Sequence, residues 1–216
     1  MNSESPRLLI LGCGTFAVQA LEIAEEAGGF APAGFINSFE APAQGAQLEG
    51  LPVFGIDALP LGPDDALVVS GAVSNRRRAA IEVLAQRGYR FATLVHPTAY
   101  VSRRATLRAG VVVNSGVQLS IYVELGEHVI INRGATIGHH TKVGAFATVG
   151  PGVTIAGAVV IGEGAYIGAG CVLREGSAIG AGAVVGAGAV VVKPVAAHTL
   201  VTGVPASLAR TGVDGL

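Results

Sequence analysis

Seventeen hexads run through this chain in one unbroken phase. Every sixth residue from Val95 to Val191 is Val, Leu or Ile. The fifth residue of each hexad, from Ala99 to Val195, is Ala, Val, Thr, Ser or Cys. A period of six fits neither a helix, at 3.6, nor an alternating strand, at two. It fits a parallel β-solenoid in which each hexad forms one short face and a turn. Three hexads per coil give between five and six coils. At about 4.8 Å per coil they stack into a prism of roughly 27 Å.

Composition agrees with such a chain and removes other classes. Of 216 residues, 50% are hydrophobic and 13% charged, which excludes a disordered polypeptide. The 32 glycines suit tight, repeated turns. Fourteen basic against 15 acidic residues give a net charge of −1, with no bulk pull toward nucleic acid or membrane. Cys13 and Cys171 form no disulfide framework and no zinc pattern. The first residues, MNSESPRLLILGCG, hold an apolar run too short for a membrane span and lack the regions of a signal peptide. A soluble, cytoplasmic protein is expected.

Ahead of the hexads, residues 1–94 alternate strand and helix signals. Strands are expected at Arg7–Leu11, Ala33–Ile36, Ala66–Ser70 and Arg90–Leu94. Helices are expected at Phe16–Ala27 and Asn75–Arg87, with Asn75 as N-cap and Gly28 and Gly88 as stops. Residues 37–62, rich in Gly and Pro, read as loop with one short element at most. This order describes a small parallel α/β unit. Its first turn, Gly12-Cys13-Gly14-Thr15-Phe16-Ala17, matches G-x-G-x-x-A. Such a turn brings backbone and a helix N-terminus to a phosphate, although tight packing alone also selects glycine there. The second strand ends in Asn37 and Ser38. A ribose-binding acid is missing at that place, which weighs against an NAD-dependent oxidoreductase.

Within the solenoid, Asn132, His139, His140 and Thr148 break the regular pattern at turns. Residues 18 apart stack, so His139 has Ile121 on the previous coil and Gly157 on the next. An imidazole is a competent base near neutral pH. A solvated surface histidine is the plain alternative. His96, His128 and His198 read as structural or solvated.

These residues and several motifs carry a resemblance to a known family. GCGTFA, GFINS, VSGAVSNRR, LVHPTA, INRGATIGHHTKVGAFATVGPGVTIAG and VTGVPASLAR, spread over the chain, resemble the hexapeptide-repeat nucleotide-sugar acetyltransferases. That family includes the UDP-4-amino-sugar and GDP-perosamine N-acetyltransferases and the sialic acid O-acetyltransferases. The resemblance implies an N-terminal Rossmann-like domain, residues 1–94, that binds the nucleotide sugar. It implies a left-handed parallel β-helix, residues 95–216 with the C-terminal tail, that carries acyl transfer. It further implies a homotrimer that uses acetyl-CoA in the groove between neighbouring β-helices.

By resemblance, the catalytic base falls on His139 and a supporting asparagine on Asn132. His140 stands where the family has a carboxylate that orients the base. Thr148 stands where some members have a CoA-contacting histidine. CoA contacts fall on Gly157, Ala169 and Ala187, mainly through backbone groups, and Lys193 is a cation near the CoA phosphates or else a cap of the solenoid. Nucleotide-sugar contacts fall on Gly14, Thr15, Phe16, Asn37, Ser38, Gly71 and Arg76. Asn37 and Ser38 replace two family acids, and Ala72 and Val73 replace paired asparagines.

The expected reaction is transfer of acetyl from acetyl-CoA to the 4-amino group of a nucleotide-linked deoxy-amino sugar, in surface-glycan synthesis. O-acetylation of sialic acid or a related sugar is the alternative. Two other classes remain behind it: a zinc enzyme like the γ-carbonic anhydrases, and a non-catalytic solenoid.

Overall fold

A computed structural model of the chain describes residues 5–215. They form two compact units that divide between Leu94 and Val95.

The first unit is built on one sheet. Its elements are β1 (Arg7–Leu11), α1 (Thr15–Ala27), β2 (Ala31–Asn37), β3 (Gln47–Leu48), β4 (Leu51–Gly55), β5 (Ala66–Ser70), α2 (Arg77–Gln86) and β6 (Arg90–Phe91). The strand order is β3-β4-β2-β1-β5-β6, parallel except for the β3–β4 hairpin. Leu8 to Leu11, Phe35, Ile36, Val68 and Val69 are buried, as the near-continuous apolar runs of a doubly covered parallel sheet require. Helix α1 buries Ala17, Ala20, Leu21, Ile23 and Ala24 on one stripe and ends at Gly28, whose φ of 68° stops it.

Three sequence expectations change here. The Gly/Pro-rich stretch contributes two strands rather than one short element, and β4 pairs with β2 inside the sheet. Helix α2 starts at Arg77, with Arg76 and not Asn75 at its N-cap, and no side chain caps it. Arg90–Leu94 is not one strand: it stops after Phe91, and Leu94–Val95 is the first strand of a solenoid sheet.

The second unit is a left-handed parallel β-helix with three faces. Every strand from Leu94–Val95 to Val190–Val191 has two residues, and partners among them are 18 apart, as in Gln118↔Thr136↔Thr154. The first face runs from Leu94–Val95 through Ile130–Ile131 to Val184–Val185. The second runs from Tyr100–Val101 through Thr136–Ile137 to Val190–Val191, and the third from Thr106–Leu107 to Ala178–Ile179. The hexad residues point inward and form a single aliphatic core: Val113, Leu119, Leu125, Ile131, Val149 and Ile167 are each 0–1% exposed. The hairpin Thr199–Thr202/Ser207–Thr211 extends the first face.

From Gly110 to Gly188, each turn carries a left-handed residue at its second position. Between the first and second faces that residue is always glycine from the second coil on: Gly116, Gly134, Gly152, Gly170 and Gly188, φ 65–70°. Glycine takes this conformation without steric cost. Between the second and third faces it is Tyr122, His140 and Ala158, φ 54–60°, before Gly176. There the fold holds side chains in a conformation that costs about 1–2 kcal/mol each.

Candidate functional site

In the first unit, the sequence-derived substrate residues converge on the carboxyl edge of the sheet. The chain leaves β1 at Gly12, β2 at Asn37 and β5 at Gly71. β1 and β5 flank the point where strand order reverses, the usual position of a ligand crevice in such sheets. Gly12 has a structural reason to be glycine: its φ is +117°, and a Cβ there would stand 3.0 Å from the Gly71 carbonyl oxygen. Gly71 is as constrained, since its Cβ would lie 2.6 Å from Ala17 Cα. Gly14 differs. Its φ is −92° and a Cβ would meet nothing within 4 Å. Neither backbone nor packing excludes a side chain, so its absence simply leaves open space before the N-terminus of α1, where Thr15 begins the helix. Cys13 sits between these glycines, and burial pushes its thiol pKa up, so it is a neutral thiol.

Asn37 Oδ1 accepts hydrogen bonds from the Phe39 N–H (3.0 Å) and the Glu40 N–H (3.3 Å). Its side chain therefore shapes the loop after β2. Asn37 and Ser38 line a cleft of about 450 Å³ with Phe39, Glu40 and Ile56. Phe16 is half-buried, and Thr15 and Arg76 are exposed. The residue that holds the loop after β5 is Arg77, which the sequence reading missed. Buried to 2% exposure, it donates from Nη1 to Val73 O (2.6 Å) and Ser74 O (3.2 Å). Burial, aided by the Arg78 charge, pushes its pKa down to about 10, so it remains a cation at neutral pH.

In the β-helix, His139 and His140 form the turn between the second and third faces. Their Nδ1 atoms lie 3.1 Å apart, with the rings edge to face. His140 N–H donates to Ile121 O on the previous coil, and His139 O accepts from Ala158 N–H on the next. Thr141, fully buried, anchors the base of the turn by donating to Ala156 O at 3.2 Å. The His139 ring lies against Gly157: a Cβ there would stand 2.5 Å from Cε1 and 2.7 Å from Nε2. Tyr122, 18 residues before His140, lays its ring beside that of His140, centroids 4.9 Å apart. The sequence reading passed over Tyr122. Its signal was an aromatic side chain at a turn position that favours glycine.

The other residues stand elsewhere. Asn132 is at the neighbouring corner, between the first and second faces. It is buried, with Nδ2 donating to Val149 O at 3.2 Å. Among the described residues no hydrogen bond joins it to His139. Ala169 and Ala187 are exposed at that same corner on later coils, whereas Gly157 and Lys193 share the corner of His139. Thr148 is buried on a first-face strand, away from both turns. The amide N–H groups of Gly157, Ala169 and Ala187 donate no hydrogen bond within the described residues. Such open turn amides are ready donors for an acyl oxygen or an amide carbonyl. Lys193 borders a cleft of about 360 Å³ with Pro194, Thr199, Ser207 and Leu208. Among the described residues, no three His, Cys, Asp or Glu side chains gather as metal ligands. None of the described helices is long and apolar enough to cross a membrane.

Comparison with known proteins follows this geometry. The family model "Bacterial transferase hexapeptide (six repeats)" matches residues 122–157 and 158–193. No curated protein matches the chain by sequence. Among solved structures, PerB from Caulobacter crescentus, in complex with CoA and GDP-perosamine, is 31% identical. The match covers 94% of this chain and 97% of that one, with a TM-score of 0.83. A histidine-to-asparagine mutant of perosamine N-acetyltransferase from the same organism, with the same two ligands, is 29% identical over 94% of this chain and 96% of that one, TM-score 0.83. The acetyltransferase domain of PglB from Neisseria gonorrhoeae FA1090, in complex with acetyl coenzyme A, is 29% identical. That match covers 95% of this chain and all (100%) of that one, TM-score 0.87.

Proposed function

This chain belongs to the hexapeptide-repeat nucleotide-sugar acetyltransferases, and from that premise we propose that it acetylates the 4-amino group of a nucleotide-linked deoxy-amino sugar. It is an acetyltransferase, and acetyl-CoA is its co-substrate. The observation that carries the acceptor class is the correspondence of both units, over 94% of the chain, with a protein holding CoA and a GDP-linked amino sugar together. The nucleotide-sugar role of residues 1–94 is supported by the open space at Gly14 and the cleft beside Ser38. The acyl-transfer role of residues 95–216 is supported by the His139 corner.

The chemistry follows from the groups present. The acceptor nitrogen attacks the thioester carbonyl carbon, and a C–N bond forms. His139 Nε2 takes a proton from that nitrogen. The oxyanion is met by an open turn amide, for which Gly157, Ala169 and Ala187 are the candidates. Collapse breaks the C–S bond, and the proton on His139 passes to the departing thiolate, so the base is regenerated. Asn132 and the amides of Ala169 and Ala187 share one corner, and His139 shares the other with Gly157 and Lys193. A site that uses both corners is completed by a second copy of the chain, in keeping with a cyclic homotrimer.

The test is a panel of UDP-, GDP- and CMP-linked sugars, each in 4-amino and 4-hydroxy form, assayed for CoA release. Release with a 4-amino sugar and none with its 4-hydroxy counterpart is expected. Release only with hydroxyl acceptors overturns the reading in favour of O-acetylation. The cytoplasmic localisation expected from the sequence and a role in surface-glycan synthesis belong to this same proposal.

A further inference from the structure

The corner that carries His139 changes chemistry from coil to coil. The strand register places Arg103-Arg104, Ile121-Tyr122 and His139-His140 at the same turn on three successive coils. Arg103 and Arg104 are exposed, and their guanidinium groups make no hydrogen bond or ion pair among the described residues. Their backbone is fixed. Ala105 N–H donates to Ser102 O at 2.9 Å, and Arg104 N–H donates to Oγ of the buried Ser102 at 3.3 Å. Ile121 and Tyr122 on the next coil are large side chains left 41% and 46% exposed. The corner thus runs from a cationic step through an apolar step to the imidazole step.

Charge and distance select what fits. No carboxylate stands at this corner before Glu175, two coils beyond His139, and Glu124 on the adjoining face is paired with Lys142 at 3.1 Å. An anion at the arginine pair therefore meets two unpaired guanidinium groups, whose planar forks match phosphate oxygens. Two coils separate the pair from His139, about 10 Å at roughly 4.8 Å per coil. In a nucleotide-linked 4-amino sugar, one pyranose ring and one ester oxygen separate the amine from the first phosphate, a span of that order. The phosphates of acetyl-CoA stand farther from its thioester, beyond the whole pantetheine arm. Between amine and phosphate lies the ring of a deoxy-sugar, whose apolar faces pack against exposed apolar and aromatic side chains such as those of the Ile121-Tyr122 step.

We propose that Arg103 and Arg104 bind the pyrophosphate of the acceptor substrate and that Ile121 and Tyr122 carry its sugar ring, so that the 4-amino group is delivered to His139. The three steps of the corner then meet the three parts of the substrate in order. This assignment rests on the reading of His139 as the base and of a nucleotide-linked amino sugar as the acceptor.

The test joins calorimetry with UDP, GDP and acetyl-CoA to kinetics with each 4-amino sugar as its nucleoside diphosphate and as its methyl glycoside. Wild type is expected to bind UDP or GDP. R103Q/R104Q is expected to bind it about a hundredfold more weakly, about tenfold for each guanidinium, with acetyl-CoA binding within about twofold. Its preference for the nucleotide-linked sugar over the glycoside falls by the same factor. R103K/R104K keeps the charge without the planar fork and falls between the two. Y122A raises KM for both forms of the acceptor. Unchanged diphosphate binding in R103Q/R104Q overturns the proposal, as does the absence of UDP and GDP binding in wild type. Weakened acetyl-CoA binding with diphosphate binding intact also overturns it and gives the pair to the CoA phosphates. Equal losses on the glycoside and the nucleotide-linked sugar overturn it as well. CoA release only with hydroxyl acceptors fails the amine reading and leaves the diphosphate arm standing. Normal amine acetylation beside unchanged diphosphate binding in R103Q/R104Q sinks only the arginine site.

Discussion

The imidazole of His139 lies over Gly157, one coil further on, so closely that a methyl group at Gly157 would stand 2.5 Å from its Cε1. The backbone of Gly157 is in the ordinary right-hand half of φ space, so alanine is not excluded by conformation. G157A is therefore expected to fold, with the exposed His139 ring swung away. A displacement of this size in a catalytic group costs about a hundredfold in rate. Comparing kcat with the thermal midpoint checks this: a fall in both would mean lost folding rather than a displaced base.

H139A removes the proposed base and leaves the turn amides. Turnover is expected to fall about a hundredfold or more, while acetyl-CoA binding measured by calorimetry stays close to wild type. Near-normal turnover would remove His139 from the mechanism.

His139 and Asn132 stand at different corners of the same prism, without a hydrogen bond between them. If sites form between copies, H139A and N132A subunits repair one another. Unfolding and refolding an equal mixture of the two inactive variants should restore about a quarter of the sites in a cyclic oligomer. No recovery in the mixture would place each site within one chain.

Gly71 packs against Ala17 Cα with no space for a Cβ. G71A is expected to destabilise the first unit by about 1–3 kcal/mol through overpacking. The β-helix shares no atom of that contact. Two calorimetric transitions, only one of them shifted, are the expected record, with a raised KM for the nucleotide sugar.

Arg77 ties the loop after β5 through two carbonyl oxygens. R77M keeps much of the buried volume but leaves Val73 O and Ser74 O without that donor. A loss of about 2 kcal/mol is expected from denaturant titration. An unchanged midpoint would show that water replaces the guanidinium there.

The β-helix was legible because each of its hexads repeats the same physical demand, an aliphatic residue inward and a small one at the turn. No single residue had to be interpreted. The first unit was legible where apolar runs were clean, as in Arg7–Leu11 and Ala66–Ser70, whose bounds the structure reproduces. β4 was hidden because Gly50, Pro52 and Gly55 read as loop. Proline is tolerated there since the pairing of β4 with β2 begins one residue later, at Phe35↔Val53. His139 on Gly157 followed from the period of 18. Tyr122 and Arg77 did not, because their roles depend on ring packing and burial, which neither spacing nor composition encodes. Lys193, Ala169 and Ala187 were named through family resemblance alone, and their place on two separate corners could not be read from a single chain.

The left-handed residues at the His139 corner have a consequence for engineering. Replacing Tyr122, His140 or Ala158 with glycine relieves a conformation that L-residues resist, by about 1 kcal/mol each. A selection for heat tolerance alone would drive this corner toward the all-glycine pattern of its neighbour. The hardier protein that resulted would have its catalytic corner erased, so thermostabilisation of this enzyme has to be screened by turnover and not by melting temperature.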